Sequence, residues 1–142
     1  MITKIEPRPL VSVIMNCYNG EKYLEESIKS VLLQTYDNWE LIFWDNKSED
    51  KSGQIFKKYQ DKRLKYFYAD KHTSLYEARN LAIEKSTGDF ISFLDTDDLW
   101  DKQKLEKQMH YFDDLSVGVV YSNYWLIKKD LKKKKINFKK KL

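Results

Sequence analysis

Cysteine and histidine are scarce in this chain of 142 residues, with a single Cys at 17 and two His at 72 and 110. One thiol excludes an internal disulfide framework, and so few thiolate and imidazole ligands leave a structural zinc site short of its usual set. A reducing cytoplasm is the compartment this implies. Glycine is also sparse: the four residues at 20, 53, 88 and 118 are too scattered for G-x-G-x-x-G or a Walker A loop, and neither H-E-x-x-H nor G-x-S-x-G occurs. No uninterrupted apolar run approaches the roughly 20 residues of a membrane span, and the opening MITKIEPRPL lacks the hydrophobic segment of a signal peptide. The expectation is a soluble chain, free to dock on a membrane surface. No internal repeat is present.

What the chain does have is enough apolar (42%) and aromatic (15%) content to bury one core at single-domain length. Its net charge of +4 is uneven, because Lys128 to Leu142 carries nine Lys and one Asp and leaves the remainder at −4. The basic character therefore belongs to the tail, and no basic groove follows for the body, so nucleic acid is not an expected partner.

Leu10 to Met15 reads as a buried strand and Glu21 to Gln34 as a helix starting at Asn19 or Gly20. The unit recurs: a strand over Glu40 to Trp44, a helix from Glu49 to about Tyr59 capped by Ser48, and a strand over Leu64 to Tyr68. Ser74 and Glu77 fit a capping box ahead of a third helix that Gly88 closes. Phe90 to Leu94, Lys102 to Phe112 and Val117 to Tyr121 read as strand, helix and strand. Strands apolar on both faces and alternating with helices predict an α/β fold, a mainly parallel sheet with helices on both faces. Right-handed crossovers then bring every strand's carboxyl end to one rim, where open α/β sheets bind ligands.

Polar clusters fall on that rim: Asn16, Tyr18 and Asn19 after strand one, Asp45 and Asn46 after strand two, Asp95 and Asp97 after strand four. In a Rossmann-like half, strand one neighbours strand four, which places the first and last of these together. Asp95 and Asp97 point the same way if the strand continues, and suit Mg²⁺ or Mn²⁺. Tyr18 offers a face for a base, and Asp45 or Asn46 can accept an imide proton. The plainer alternatives are that Asp98 or Asp101 caps the next helix, that Tyr18 is packing, that Asp45 and Ser48 make only a turn, and that Arg79 is a surface ion pair. Cys17 reads as a small buried hydrophobe, and both histidines as surface residues.

The stretches VSVIMNCYNGEKYLEESIKSVLLQTYDNWELIFWDNKSED and ARNLAIEKSTGDFISFLDTDDLW resemble the amino-terminal half of inverting glycosyltransferases of family 2, which have the GT-A fold. The first is similar to the family's V-S-V-I-x-P-x-Y-N opening, the second part of it to Q-T-x-x-x-x-E-L-I-x-x-D-D-x-S, and LDTDD to the D-x-D element. The resemblance covers residues 10 to 125, as a partial nucleotide-sugar-binding domain between an extension (1–9) and a lysine-rich tail (126–142). It implies transfer of a sugar from a UDP- or dTDP-linked donor to a glycan or lipid-linked acceptor hydroxyl, with inversion, in polysaccharide synthesis. It also implies that Asn16, Tyr18, Asp45 and Asn46 hold the nucleoside, that Arg79 contacts the phosphates, that Asp95 reaches ribose or metal, and that Asp97 ligates Mn²⁺ or Mg²⁺.

Asn46 departs from the family's second aspartate and, as an amide, donates as well as accepts. No catalytic residue is identified; the general base is expected beyond Leu142, so the chain reads as truncated. A non-catalytic nucleotide-sugar-binding module or inactive fragment is the alternative. The tail reads as a strand meant for a missing half, with peripheral contact to anionic lipid at the inner face of the membrane, or RNA binding, as rivals. Apolar surface left without partner strands predicts self-association.

Overall fold

The computed structural model describes residues 8–127 and the backbone of 133–136. Two compact units divide the chain between Leu105 and Glu106. In the first, β1 (Val11–Cys17), β2 (Trp39–Asp45), β3 (Leu64–Tyr68) and β4 (Phe90–Phe93) form one sheet in the order β3-β2-β1-β4. Every pairing is parallel, with Val11 to Cys17 beside Trp39 to Asp45, and Val11 to Ile14 beside Phe90 to Phe93. The expected neighbourhood of the first and fourth strands is therefore present, and so is the common rim of carboxyl ends.

Between the strands lie α1 (Leu24–Leu32), α2 (Ser52–Phe56) and α3 (Leu75–Ile83). Side-chain alternation sorts them. Ile14, Ile42 and Trp44 share the face that meets Ala69, Ala78 and Ala82, and the two small residues of α3 let that helix lie close on the sheet. On the other face Phe43 stacks on Phe56 of α2 at 4.4 Å, and α1 packs against α2. β1 and β2 are buried on both sides except at Asn16.

Side-chain chemistry ties the amino ends of all four strands together. The buried Glu40 of β2 accepts from Ser12 of β1 at 2.6 Å, pairs with Lys65 of β3, and accepts from the Thr87 N–H at 2.7 Å just before β4. Burial pushes the Glu40 carboxyl up, but the hydrogen bonds from Lys65, Ser12 and Thr87 outweigh it and hold the group below its ordinary value. Gly88 follows; a Cβ there would sit 2.6 Å from the Ser12 hydroxyl, which explains the residue by close approach rather than as a helix end. The third helix in fact stops at Ile83 with Glu84 as its C-cap.

A fourth helix, α4 (Lys104–Met109), runs across the boundary of the units and passes into a 3₁₀ turn over His110–Asp113. In the second unit, Val117 to Tyr121 forms no strand. Within it Val119 and Tyr121 are exposed. Instead β5 (Tyr124–Ile127) pairs antiparallel with β6 (Lys133–Ile136), so a short part of the lysine tail is strand; the rest of the tail lies outside the described residues. Leu115 and all four residues of β5 are exposed. Among the described residues no helix is long and apolar enough to cross a membrane.

Candidate functional site

The rim loops are stitched together by side chains rather than held by helix caps. Asn19, in the left-handed region at φ 53°, accepts through Oδ1 from the Glu49 N–H at 2.9 Å. Its own N–H donates to Ser48 Oγ at 3.0 Å. The Gly20 N–H donates to Ser52 Oγ, the Glu21 N–H to Asp50, and the Lys51 N–H back to Glu21. Five bonds thus join the loop after β1 to the loop after β2. This corrects two helix starts: Asn19 and Ser48 cap nothing, α1 begins only at Leu24, and α2 shrinks to Ser52–Phe56.

Asp45 and Asn46 come to this rim, where both bond to neighbouring loops and strands. Asp45 is buried; Oδ1 takes the Ser48 N–H at 2.8 Å and Oδ2 takes the Tyr66 hydroxyl at 2.7 Å. The Asn46 amide grips the loop before α3, with Nδ2 donating to Thr73 O at 2.8 Å and Oδ1 accepting from Thr73 N and Oγ1 at 3.2 and 3.1 Å. In this arrangement both residues brace the loops of the rim.

A cavity of about 290 Å³ opens at this point, lined by Asn16, Tyr18, Asn46, His72 and Thr73 with Ala78 of α3. Cys17 also lines it, and burial pushes its thiol up, as expected of a small buried hydrophobe. Tyr18 is half exposed, its ring 4.1 Å from that of His72. Nδ2 of Asn16 is buried and has no hydrogen-bond partner among the described residues. His72, though exposed, thus belongs to the cavity wall, a role its isolation in the sequence gave no reason to assign.

The acidic turn lies next to this cavity and does not line it. β4 stops at Phe93, and residues 95–98 turn, closed by Asp98 N–H to Asp95 O at 3.1 Å. Asp95 and Asp97 are therefore not successive same-face residues of a strand. Ser27 of α1 holds the Asp95 carbonyl, and Arg79, next in α3 after the cavity-lining Ala78, donates to Asp95 Oδ1 at 2.8 Å. Gly20 lets the β1 loop approach the same turn, since a Cβ there would be 3.0 Å from Thr96 Oγ1. Desolvation, then the charges of Asp97 and Asp95, push the Asp98 carboxyl up. Asp101 serves the helix that follows, accepting from the Gln103 N–H at 2.9 Å.

Among the described residues no group of three or more His, Cys, Asp or Glu is arranged to hold a metal ion. The turn carries three exposed carboxylates, Asp95, Asp97 and Asp98, the first engaged with Arg79. That fits a hard cation drawing most of its oxygens from phosphate and water, and does not fit an all-protein cage.

The chain is similar to known proteins in sequence and in fold. The model of glycosyl transferase family 2 matches residues 12–140. The chain is 40% identical over 118 residues to the Escherichia coli UDP-Glc:alpha-D-GlcNAc-diphosphoundecaprenol beta-1,3-glucosyltransferase WfgD, covering 83% of this chain and 47% of that protein. It is 38% identical over 125 residues to TuaG of Bacillus subtilis, a candidate teichuronic acid biosynthesis glycosyltransferase, covering 87% and 50%. Among solved structures, S. aureus TarS in complex with UDP-GlcNAc superposes with a TM-score of 0.70 at 31% identity, over 73% of this chain and 31% of that one. The Pyrobaculum calidifontis mannosyltransferase PcManGT, in complex with GDP-Man and Mn²⁺, gives 0.74 at 25% identity, over 78% and 34%. The chain spans about half the length of the curated relatives it matches. With its parallel sheet and helices on both faces it has the GT-A fold of these transferases, and it belongs to glycosyl transferase family 2.

Proposed function

We propose that this chain is the donor-binding half of a transferase that moves a sugar from a UDP- or dTDP-linked donor to an acceptor hydroxyl, with inversion, in glycan or polysaccharide synthesis. The observation that carries the reading is the placement of an aromatic-walled cavity, Tyr18 beside His72, directly alongside the Arg79–Asp95 turn. A pyrimidine lies in the cavity on Tyr18, with Asn16 at its edge and Asp45 and Asn46 fixing the walls from behind. Arg79 exchanges its carboxylate partner for a donor phosphate, a charge-assisted contact that arginine's fork suits. Asp95, so released, turns to the ribose or cation.

Asp97 and Asp95 would hold Mn²⁺ or Mg²⁺, which when bound neutralises charge growing on the leaving diphosphate. In the transfer the acceptor oxygen bonds to the anomeric carbon from the face opposite the diphosphate, the carbon–diphosphate bond breaks, and the hydroxyl proton passes to a base. None of the described rim carboxylates is assigned that proton. A second reading is a nucleotide-sugar binder without turnover, which sugar release from a labelled donor separates from the first. The apolar β5 surface supports self-association, and the lysine tail supports contact with anionic lipid.

Thermal shift with UDP, dTDP, GDP and CMP, each with and without Mn²⁺, tests the donor reading. A pyrimidine diphosphate at 100 times its dissociation constant adds about 2.7 kcal/mol, and that gain requires the metal. Asp97→Ala removes the metal dependence. A flat response across the panel rejects the proposal, and metal dependence surviving in Asp97→Ala rejects the ligand assignment.

A further inference from the structure

Ser27 and Ser30 in α1 and Gln34 just past its end are buried polar residues, and their spacing of three and four puts them on one side of the helix. Serine gains nothing from a helix interior, and a buried polar group costs stability unless it is hydrogen-bonded. The apolar packing of α1 is carried by others, Leu24, Ile28 and Val31, each fully buried.

All three polar side chains reach the main chain of one distant segment, 95–105. Ser27 Oγ donates to Asp95 O at 3.2 Å. Ser30 Oγ donates to Ser27 O at 2.7 Å and accepts from the Trp100 N–H at 3.2 Å. Gln34 uses both ends of its amide: Nε2 donates to Asp101 O at 2.8 Å and to Ser30 O at 3.0 Å, while Oε1 accepts from the Leu105 N–H at 3.0 Å. The Thr35 N–H adds a bond to Lys102 O at 2.9 Å. Gln34 and Thr35 open the Q-T-x-x-x-x-E-L-I stretch, and the donor reading gives neither of them a task.

These bonds bracket the acidic turn. Asp95 is held on one side and Trp100 to Leu105 on the other, so the main chain at Asp97 is confined to a short arc between fixed points, whereas its side chain stays exposed. A cation that takes few oxygens from the protein depends on those few being already in place.

We infer that Ser27, Ser30 and Gln34 are positioning residues of the acidic turn, a buried polar face that presets the main chain from which Asp97 meets the cation of a donor diphosphate. The inference rests on the donor reading above and assigns work to residues outside the cavity. They act through the backbone of 95–105 and touch no ligand.

Calorimetric titration of the full chain with UDP over a series of Mn²⁺ concentrations tests it. Gln34→Leu keeps the bulk and removes three hydrogen bonds, and Ser27→Ala removes a single hydroxyl. In both, the Mn²⁺ concentration that gives half of the maximal UDP affinity rises, by about tenfold in Gln34→Leu, the lower end of what the outer partners of a metal site cost. A role confined to stability lowers the unfolding midpoint and leaves that Mn²⁺ concentration at its wild-type value, and this result overturns the inference. If Gln34→Leu fails to fold, Ser27→Ala carries the same readout. Wild-type Mn²⁺ dependence unaltered in the folded variants overturns this inference alone, whereas a wild-type chain whose UDP binding ignores Mn²⁺ overturns the donor reading itself.

Discussion

At the scale of single residues, Asp45 shows how a rim carboxylate is made rigid. Its two oxygens take the Ser48 N–H and the Tyr66 hydroxyl, and the latter bond exists because position 53 carries no side chain: a Cβ on Gly53 would lie 2.7 Å from the Tyr66 oxygen. Burial, and then the hydrogen bond to Asp45, push the Tyr66 phenol well above its ordinary value, so it remains a donor across the working pH range. Tyr66→Phe strands a buried charged oxygen, and we expect a loss of about 1.5–3 kcal/mol in urea unfolding; an unchanged midpoint would count against the role. The sequence identified Tyr18, Asp45, Asn46 and Asp95 as rim residues because each follows an apolar strand. It did not reveal their partners. Asn46 to Thr73 and Asn19 to Glu49 are bonds across 27 and 30 residues, and no local pattern encodes such distances. His72 escaped for the same reason, since its environment is made by Tyr18 and Asn46 from two other loops.

Elements were legible where their determinants are local. Ser74 caps α3 as its capping-box spacing predicts, with the Glu77 N–H donating to Ser74 Oγ at 3.3 Å. Ser74→Ala should cost about 1 kcal/mol, measured by thermal or urea unfolding, and because Ser74 also lines the cavity the loss should bring weaker nucleotide binding with it. A variant as stable as wild type would reduce the cap to decoration. Ser48 has the same chemistry and a similar sequence setting, yet its hydroxyl accepts from Asn19 in another loop, and α2 forms without it. Competition between a local cap and a distant donor decides such cases, and only the fold reveals the winner. Val117 to Tyr121 failed as a strand for a related reason: strand propensity is realised against a neighbour, and here the pairing went to Tyr124–Ile127 and Lys133–Ile136.

At the scale of the molecule, strand order was the safest inference, because right-handed crossovers leave few ways to arrange strands separated by single helices. The buried charge at the opposite edge was not foreseen, although it ties all four strands together. Since the folded Glu40 carboxyl is held below its ordinary value, its contribution is present in full above the unfolded value of about 4.3 and is lost as pH falls through the folded value. Stability should therefore drop below about pH 4.5, a slope that Glu40→Gln flattens while removing about 1.5–3 kcal/mol at neutral pH through the lost charge-assisted hydrogen bonds. Acid titration of unfolding midpoints for both proteins checks this, and parallel slopes would refute it.

Glu40 fastens the sheet at one extremity while the stitched loops shape the other. Anchorage and loop shaping are thereby separated along the length of each strand. A substitution among the rim loops therefore leaves the clasp at the far end of the strands untouched, so one extremity can be altered at little architectural cost to the other.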